Sequence, residues 1–450
     1  MKKLSFLKDK KKLFFIGIGG ISLSGIAKIC FQLGYEVFGS DITINDNIEL
    51  LKKLGLMVFV GHNASNIQKV NPDVVVYSGA IKSDNVERIF ALKNNIITYE
   101  RSEFLGLMLK EYKNVISVSG SHGKTTTTCM ISEIFLKAKL NPTIHIGGES
   151  VNLNTNSLCG DREFFINEAC EYRKSFLQFN SKMGVILNIE EDHPDCYKNL
   201  SEIQNAFSSF SKICENVVIN DDYKNLIQKR DNVITFSYKN GNFTVKKKYK
   251  LKNGGYSFVV YKNDKEYGRF ILNIFGKHNI YNALASIAVC DYFKINKRVI
   301  KDALFEFKGI KRRFEEVNTS VVEGKVYFDY AHHPTEIKNL IDEIREEKKR
   351  IFCVFQPHTF SRTSQYFQEF CNAFVGVDKM VFLKTYSARE RKIKKSRSYD
   401  IYNVVKNEIP SVYFSNKESS IDYLKTQTTK NDIILFVGAG DIYDLKKKLV

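Results

Sequence analysis

Along its first hundred residues the chain alternates unbroken runs of β-formers with stretches whose apolar positions recur at helical spacing. The runs predict strands over 12–17, 36–41, 57–60 and 73–77, and helices over 24–33 and up to residue 54 lie between them. Strands alternating with helices give a parallel sheet covered on both faces. A strand over 114–119 opens a second unit, and its helix over 125–140 puts Met130, Ile131, Ile134, Phe135 and Ala138 on one face. Further strands are expected over 163–167 and 184–188. Residues 240–274 alternate and are rich in Tyr, Val and Lys, which predicts hairpins inserted before a helix over 279–292. After the basic junction Lys311-Arg-Arg313 the rhythm restarts, with strands over 326–329, 350–355, 379–383, 412–414 and 432–437. Three α/β domains are therefore expected, over 1–108, 109–312 and 313–450.

Composition narrows the class. With 43% hydrophobic and 26% charged residues in 450, the chain is globular, and disorder and collagen are excluded. A net charge of +18 raises the question of nucleic acid. The short basic clusters at 10–12, 246–248, 348–350, 394–397 and 446–448 are spread from end to end among acids, with no arginine-rich arm or zinc pattern, so they are expected to be solvated surface rather than a nucleic-acid site. Nine cysteines, odd in number and never in a CxxC, fit reduced thiols of a cytoplasmic protein. The apolar run 13–27 mimics a secretory signal, but Gly17, Gly19, Gly20, Ser22, Ser24 and Gly25 break it. No other run is long enough to span a membrane, so no membrane partner is expected.

The strongest chemical signal is Ser119-Gly-Ser-His-Gly-Lys-Thr125, between a strand and an amphipathic helix. Val118 stands where the usual pattern has its first glycine, leaving Gly-x-x-Gly-Lys-Thr. Gly120, Ser121, His122, Gly123, Lys124, Thr125 and Thr126 are expected to wrap a phosphate with backbone N–H groups, Lys124 supplying charge and the Thr125 hydroxyl a ligand for Mg²⁺. As a loop residue whose role is charge, Lys124 is expected to be dispensable for the fold. A second glycine turn, Gly17 to Gly25, also joins a strand to a helix, with Asp41 ending the next strand; it could hold a dinucleotide, another nucleotide's diphosphate, or only turn the chain.

Three of the 6 prolines touch a histidine: His193-Pro194, His333-Pro334 and Pro357-His358. A lone histidine is usually structural, but three at predicted strand ends lie where parallel sheets bind ligands. Glu168-Ala-Cys-Glu171 and Glu190-Glu-Asp-His193 also end strands, which makes a hard-cation site beside Thr125, or else exposed acidic loops.

In this order, these segments resemble the Mur ligases of peptidoglycan synthesis, and within them the alanine-adding branch. Further motifs carrying the likeness are Gly276-Lys-His-Asn-Ile-Tyr-Asn282, Gly309-Ile-Lys-Arg-Arg-Phe314, Phe328-Asp-Tyr-Ala-His-His-Pro-Thr335, Gln356-Pro-His-Thr-Phe-Ser-Arg362 and Gly438-Ala-Gly-Asp441. The resemblance implies a Rossmann-like N-terminal domain for UDP-N-acetylmuramate, a central P-loop ATPase domain with a small antiparallel β insertion, and a Rossmann-like C-terminal domain closing over L-alanine. It implies that ATP and Mg²⁺ are used, with no nucleic acid or membrane, by a cytoplasmic monomer or weak homodimer. Gly19, Gly20 and Ser24 would lie at the UDP diphosphate, Asp41 and His62 towards the uridine, with Ser78 and Arg101 also on that substrate. Lys124 and Thr125 would hold phosphates and Mg²⁺, and Glu168 and His193 would complete the metal sites. Asn279 and Asn282 would face the adenine, and Arg313 with Asp329 would reach the nucleotide. Tyr330, His332 and Arg362 would border the amino acid, with His332 a base for its amine. Many relatives carry an acid where Cys170 stands, small or acidic residues at Tyr172 and Arg173, a second arginine at Thr359, and glycine at Ser22. The rivals are a sister ligase adding another amine, a nicotinamide-dependent oxidoreductase that leaves the Lys124 loop unexplained, and a basic P-loop protein that binds nucleic acid.

Overall fold

Three sheets organise the computed structural model, which describes residues 3–193, 196–388, 390 and 394–450; Pro194, paired in sequence with His193, lies outside the described residues. The chain divides into two compact units, one running to Ile274 and resuming over His278–Lys308, the other formed by Phe275–Lys277 and Gly309–Val450.

In the first unit, a five-stranded parallel sheet has the spatial order Met57–Val60, Glu36–Asp41, Lys12–Ile16, Val74–Tyr77, Ile97–Glu100. Strand order reverses at Lys12–Ile16, so the crevice beyond its C-terminal end is where such a sheet takes a ligand. The glycine turn sits there. The helix that follows begins at Ile21, three residues before the expected Ser24, because Gly20 is the extended cap and both serines fall within the first turn. This helix packs on strands Thr143–Ser150 and Thr155–Leu158. One apolar core runs from Phe15, Ile26 and Phe104 through Phe165, Phe176 and Phe207.

The second sheet has ten strands, in the order Lys265–Leu272, Tyr256–Lys262, Phe243–Lys250, Val233–Ser237, Asn216–Asn220, Met183–Ile186, Asn114–Ser119, Phe164–Glu168, Thr143–Ser150, Thr155–Leu158. Its middle is parallel. The expected hairpins extend it, because Phe243–Lys250 pairs in parallel with Val233–Ser237 through Phe236↔Phe243 and Ser237↔Thr244. The predicted helices 125–140 and 279–292 are observed as Lys124–Lys137 and Asn279–Tyr292.

In the second unit, Glu315–Val317, too short to register as a run, adds an antiparallel edge to Lys325–Asp329, Ile433–Val437, Ile351–Phe355, Lys379–Leu383 and Ser411–Phe414, which are parallel. Ile433, Leu435 and Val437 enter one core and Ile434 and Phe436 the other, as a two-residue period demands. Burial on both faces is why these strands appear in sequence as unbroken apolar runs.

Candidate active site

The loop after Asn114–Ser119 turns through two left-handed glycines, Gly120 (φ 142°) and Gly123 (φ 82°), and Gly123 caps the helix. A Cβ on Gly123 would stand 2.5 Å from Asn282 Oδ1. Asn282 Nδ2 donates to Asn279 Oδ1 at 2.8 Å, so both expected adenine residues lie buried beside this turn. Asn188, following strand Met183–Ile186, clamps the loop from the other side. Its Oδ1 accepts from His122 N–H (2.7 Å), its Nδ2 donates to His122 O (3.1 Å), and its carbonyl accepts from Ser121 N–H (3.2 Å). Ser121 Oγ donates to Glu190 O and accepts from Glu190 N–H. Asn188 is not among the expected site residues, although it ends the expected strand 184–188 and opens a segment, 188–197, that carries the family resemblance.

Lys124 Nζ donates to the Gly120 and Ser121 carbonyls and lies 3.0 Å from both carboxylate oxygens of Glu171. Burial alone would lower the lysine, but the Glu171 carboxylate outweighs it, with Cys170 and Glu168 acting in the same sense, and pushes Lys124 up to about 12. Burial would raise Glu171; Lys124 first and His193 next hold it below the ordinary carboxylate range. His193 Nε2 is 3.2 Å from Glu171 Oε1, and the Tyr172 ring lies 5.1 Å from the imidazole.

Of the expected metal set, Thr125 stands in the first helical turn. Glu168 ends strand Phe164–Glu168, accepts the Gly147 N–H at 2.6 Å, and lies near enough to Lys124 for its charge to count. The carboxylate that meets both Lys124 and His193 is Glu171. The expectation that Lys124 serves the fold in no way is therefore corrected: it neutralises a buried acid.

At the first glycine turn, Asp41 accepts the Gly19 N–H (2.8 Å) and the Ile42 N–H (2.7 Å). Asn45 and Asn47 both donate to Gly19 O. Asp41 thus shapes the turn beside Gly20. Ser24 is buried in the first turn of the helix, its hydroxyl donating to Ile21 O at 3.0 Å. His62 Nδ1 lies 2.8 Å from Glu87, a fully buried carboxylate that also accepts from Ser40 Oγ and Asn66 Nδ2 and that sequence reading missed. Arg101 reaches Ser22 Oγ at 3.3 Å, and Arg173 donates to Gly79 O next to Ser78. The strand ends of the first sheet and the Glu171 segment are thereby joined.

In the second unit the expected residues cluster at strand ends. Asp329 accepts from Phe314 and Ala331 N–H (2.8 and 2.7 Å); burial pushes its carboxyl up to about 6, against the opposing pull of Arg313. Arg312 and Arg313 both lie over the Tyr330 ring, at 4.8 and 5.0 Å. His332 Nδ1 is 3.0 Å from Tyr330 O, and its ring meets that of His358 at 6.1 Å. Arg362 donates to His358 O at 3.2 Å. His333, by contrast, caps helix Pro334–Ile344.

Comparison with known protein families covers most of the chain. Residues 12–113 match the Mur ligase family catalytic domain, 118–290 the Mur ligase middle domain, and 312–440 the Mur ligase glutamate ligase domain. The chain belongs to the Mur ligase family. Among curated relatives, the "UDP-N-acetylmuramate--L-alanine ligase" of Clostridium acetobutylicum is 43% identical over 97% of this chain and 96% of its own. That of Acetivibrio thermocellus is 41% identical over 98% and 97%. A solved Mur ligase, the UDP-N-acetylmuramate-alanine ligase of Thermotoga maritima, superposes with a TM-score of 0.85 at 29% identity, covering 97% of this chain and 98% of its own. The murein peptide ligase of Psychrobacter arcticus shares the fold at TM-score 0.71. Within this Mur ligase, the Lys124 loop with Asn279, Asn282, Glu168 and His193 forms one assembly, the Gly19 turn with Asp41 a second, and Asp329, Tyr330, His332 and Arg362 a third in the other unit.

Proposed function

We propose that this chain joins L-alanine to the carboxylate of UDP-N-acetylmuramate, cleaving ATP to ADP and phosphate through an acyl phosphate, as a cytoplasmic step of peptidoglycan precursor synthesis. The observation that carries this reading is the strand, Gly-x-x-Gly-Lys-Thr turn and helix with Lys124 held at its mouth, in a chain aligned end to end with ligases of that name. Residues 1–108 would take the UDP-sugar, 109–312 ATP, and 313–450 the amino acid. Among the described residues no helix is long and apolar enough to cross a membrane.

A carboxylate is a poor acyl donor. Its oxygen first attacks the γ-phosphorus and ADP departs; the amine then attacks the acyl carbon and phosphate leaves. The first step brings two anions together, and Lys124, aimed by the Gly120 and Ser121 carbonyls, screens their repulsion. The Thr125 hydroxyl and the Glu168 carboxylate are oxygen donors of the kind Mg²⁺ takes, with the His193 imidazole the less suited member of the set; Mg²⁺ when bound would supply further charge neutralisation at the phosphates. For the second step the alanine ammonium must lose a proton. With Tyr330 O at 3.0 Å from Nδ1, His332 carries its proton on that side and keeps Nε2 as the basic nitrogen.

Phosphate release measured with ATP, UDP-N-acetylmuramate and a panel of amino acids tests the assignment. L-alanine should support turnover above glycine and L-serine, and no response to L-alanine overturns the reading in favour of a sister ligase. For the base, His332→Ala should lower turnover by about 10² or more and change its dependence on the pH of the amine step; an unchanged profile removes His332 from that role.

A further inference from the structure

The segment after strand Phe164–Glu168 places a thiol where an ordinary Mg²⁺ site has none. Ligand atoms of Cys170, Glu171 and His193 all lie within 4.8 Å of one another. Glu171 Oε1 and His193 Nε2 are 3.2 Å apart, and Glu171 is buried. Around a tetrahedral zinc ion, with bonds of about 2.0–2.3 Å, ligand atoms are spaced roughly 3.3–3.7 Å apart, so small side-chain rotations suffice. A sulfur, an imidazole nitrogen and one carboxylate form a borderline-soft set that prefers Zn²⁺ or Cd²⁺ to Mg²⁺ and leaves a fourth position for water.

We propose that Cys170, Glu171 and His193 bind a thiophilic divalent cation, Zn²⁺ in particular, at the mouth of the Lys124 loop. The site differs from the Mg²⁺ set of Thr125, Glu168 and His193 in using the thiolate and Glu171, and it shares only His193. The cation takes the place now held by the Lys124 ammonium, whose Nζ lies 3.0 Å from both Glu171 oxygens. The thiol proton passes to solvent as the Cys170 thiolate forms. Two consequences follow from the geometry. The cation removes His193 from the Mg²⁺ set and displaces the Lys124 ammonium from Glu171, so Zn²⁺ inhibits the ligase. Replacing Cys170 weakens Zn²⁺ without touching Lys124, Thr125 or Glu168.

The direct test needs no turnover. The full chain, freed of metal and kept reduced, is titrated with Cd²⁺ while thiolate-to-metal charge-transfer absorbance is followed in the ultraviolet; the same titration is run on Cys170→Ser and Cys170→Asp. Wild type should show one tight equivalent that both variants lack, whatever the eight other cysteines contribute. An identical band and stoichiometry in all three proteins, or no band in wild type, overturns the site. The inhibitory part rests on the proposed ligase reaction and is read separately, as Zn²⁺ inhibition of phosphate release at saturating Mg²⁺ relative to each protein's own zinc-free rate. Cys170→Ser should need at least about tenfold more Zn²⁺ for the same inhibition. Equal inhibition in wild type and variant overturns that part. A Cd²⁺ band in a protein that releases no phosphate would count against the ligase reading alone.

Discussion

Lys124→Ala is expected to cut phosphate release by about 10³ or more and, unlike a substitution at a purely catalytic loop residue, to lower the melting temperature as well. The first effect follows from the proposed role of Lys124, whose charge would screen the repulsion between the attacking carboxylate and the transferring phosphate. The second follows from Glu171. It is buried, lies 3.0 Å from Lys124 through both oxygens, and would be left as an uncompensated carboxylate. Removing one partner of a buried pair costs about 3–5 kcal/mol. Because the Lys124 side chain is partly exposed, the lower end of that range, about 3 kcal/mol or a shift of several degrees, is the appropriate scale. The double variant Lys124→Ala/Glu171→Gln separates the two roles, because a neutral amide needs no counter-charge. It should regain most of the lost melting temperature and none of the activity. A double variant that melts as low as the single one would show that the pair is not the source of the instability. A single variant with near-normal phosphate release would remove Lys124 from the chemistry.

Gly123→Ala is expected to raise the KM for ATP by about 10- to 100-fold while changing kcat less. Two costs add at this residue. A φ of 82° is left-handed, which an L-residue adopts at about 1–2 kcal/mol, and the new Cβ would stand 2.5 Å from Asn282 Oδ1. Relief requires either the loop or the Asn282 amide to move, and both are expected to touch the nucleotide. Gly34→Ala is the matched control. Its φ of 86° imposes the same backbone strain, but no atom lies within 4 Å of the new Cβ. It should lose about 1 kcal/mol of stability and leave the KM for ATP unchanged. If both variants bind ATP as well as wild type, the clash with Asn282 does not shape the phosphate loop.

Several parts of this arrangement were readable from residues alone because they are local. Strand Asn114–Ser119, the two glycines and helix Lys124–Lys137 are contiguous, and each element is specified by its own spacing of apolar residues and by glycine at positive φ. The three sheets followed from unbroken runs such as Ile433–Val437, since a strand buried on both faces must be apolar throughout. Glu315–Val317 was not readable, being too short and too polar to register. Nor was the continuation of the hairpins into the central sheet, which depends on a parallel pairing at Phe236 and Phe243 rather than on either strand's own pattern.

The sequence by itself determined the α/β class, the Gly-x-x-Gly-Lys-Thr turn between strand and helix, and the family, because short-range periodicity and motif order encode them. Only the tertiary structure decided which groups meet. Glu168 and Glu171 are three residues apart and chemically equal, yet Lys124 pairs with Glu171, because the short helical turns of Tyr172–Gln178 and the tether from Arg173 to Gly79 aim that acid back at the loop. Asn188 grips His122 across 66 residues, and Glu87 holds His62 across 25. The physical reason is the same in each case. Burying a charge or an amide is favourable only when a partner arrives with the right geometry, and that partner comes from a distant strand whose position is set by packing rather than by its neighbours in sequence.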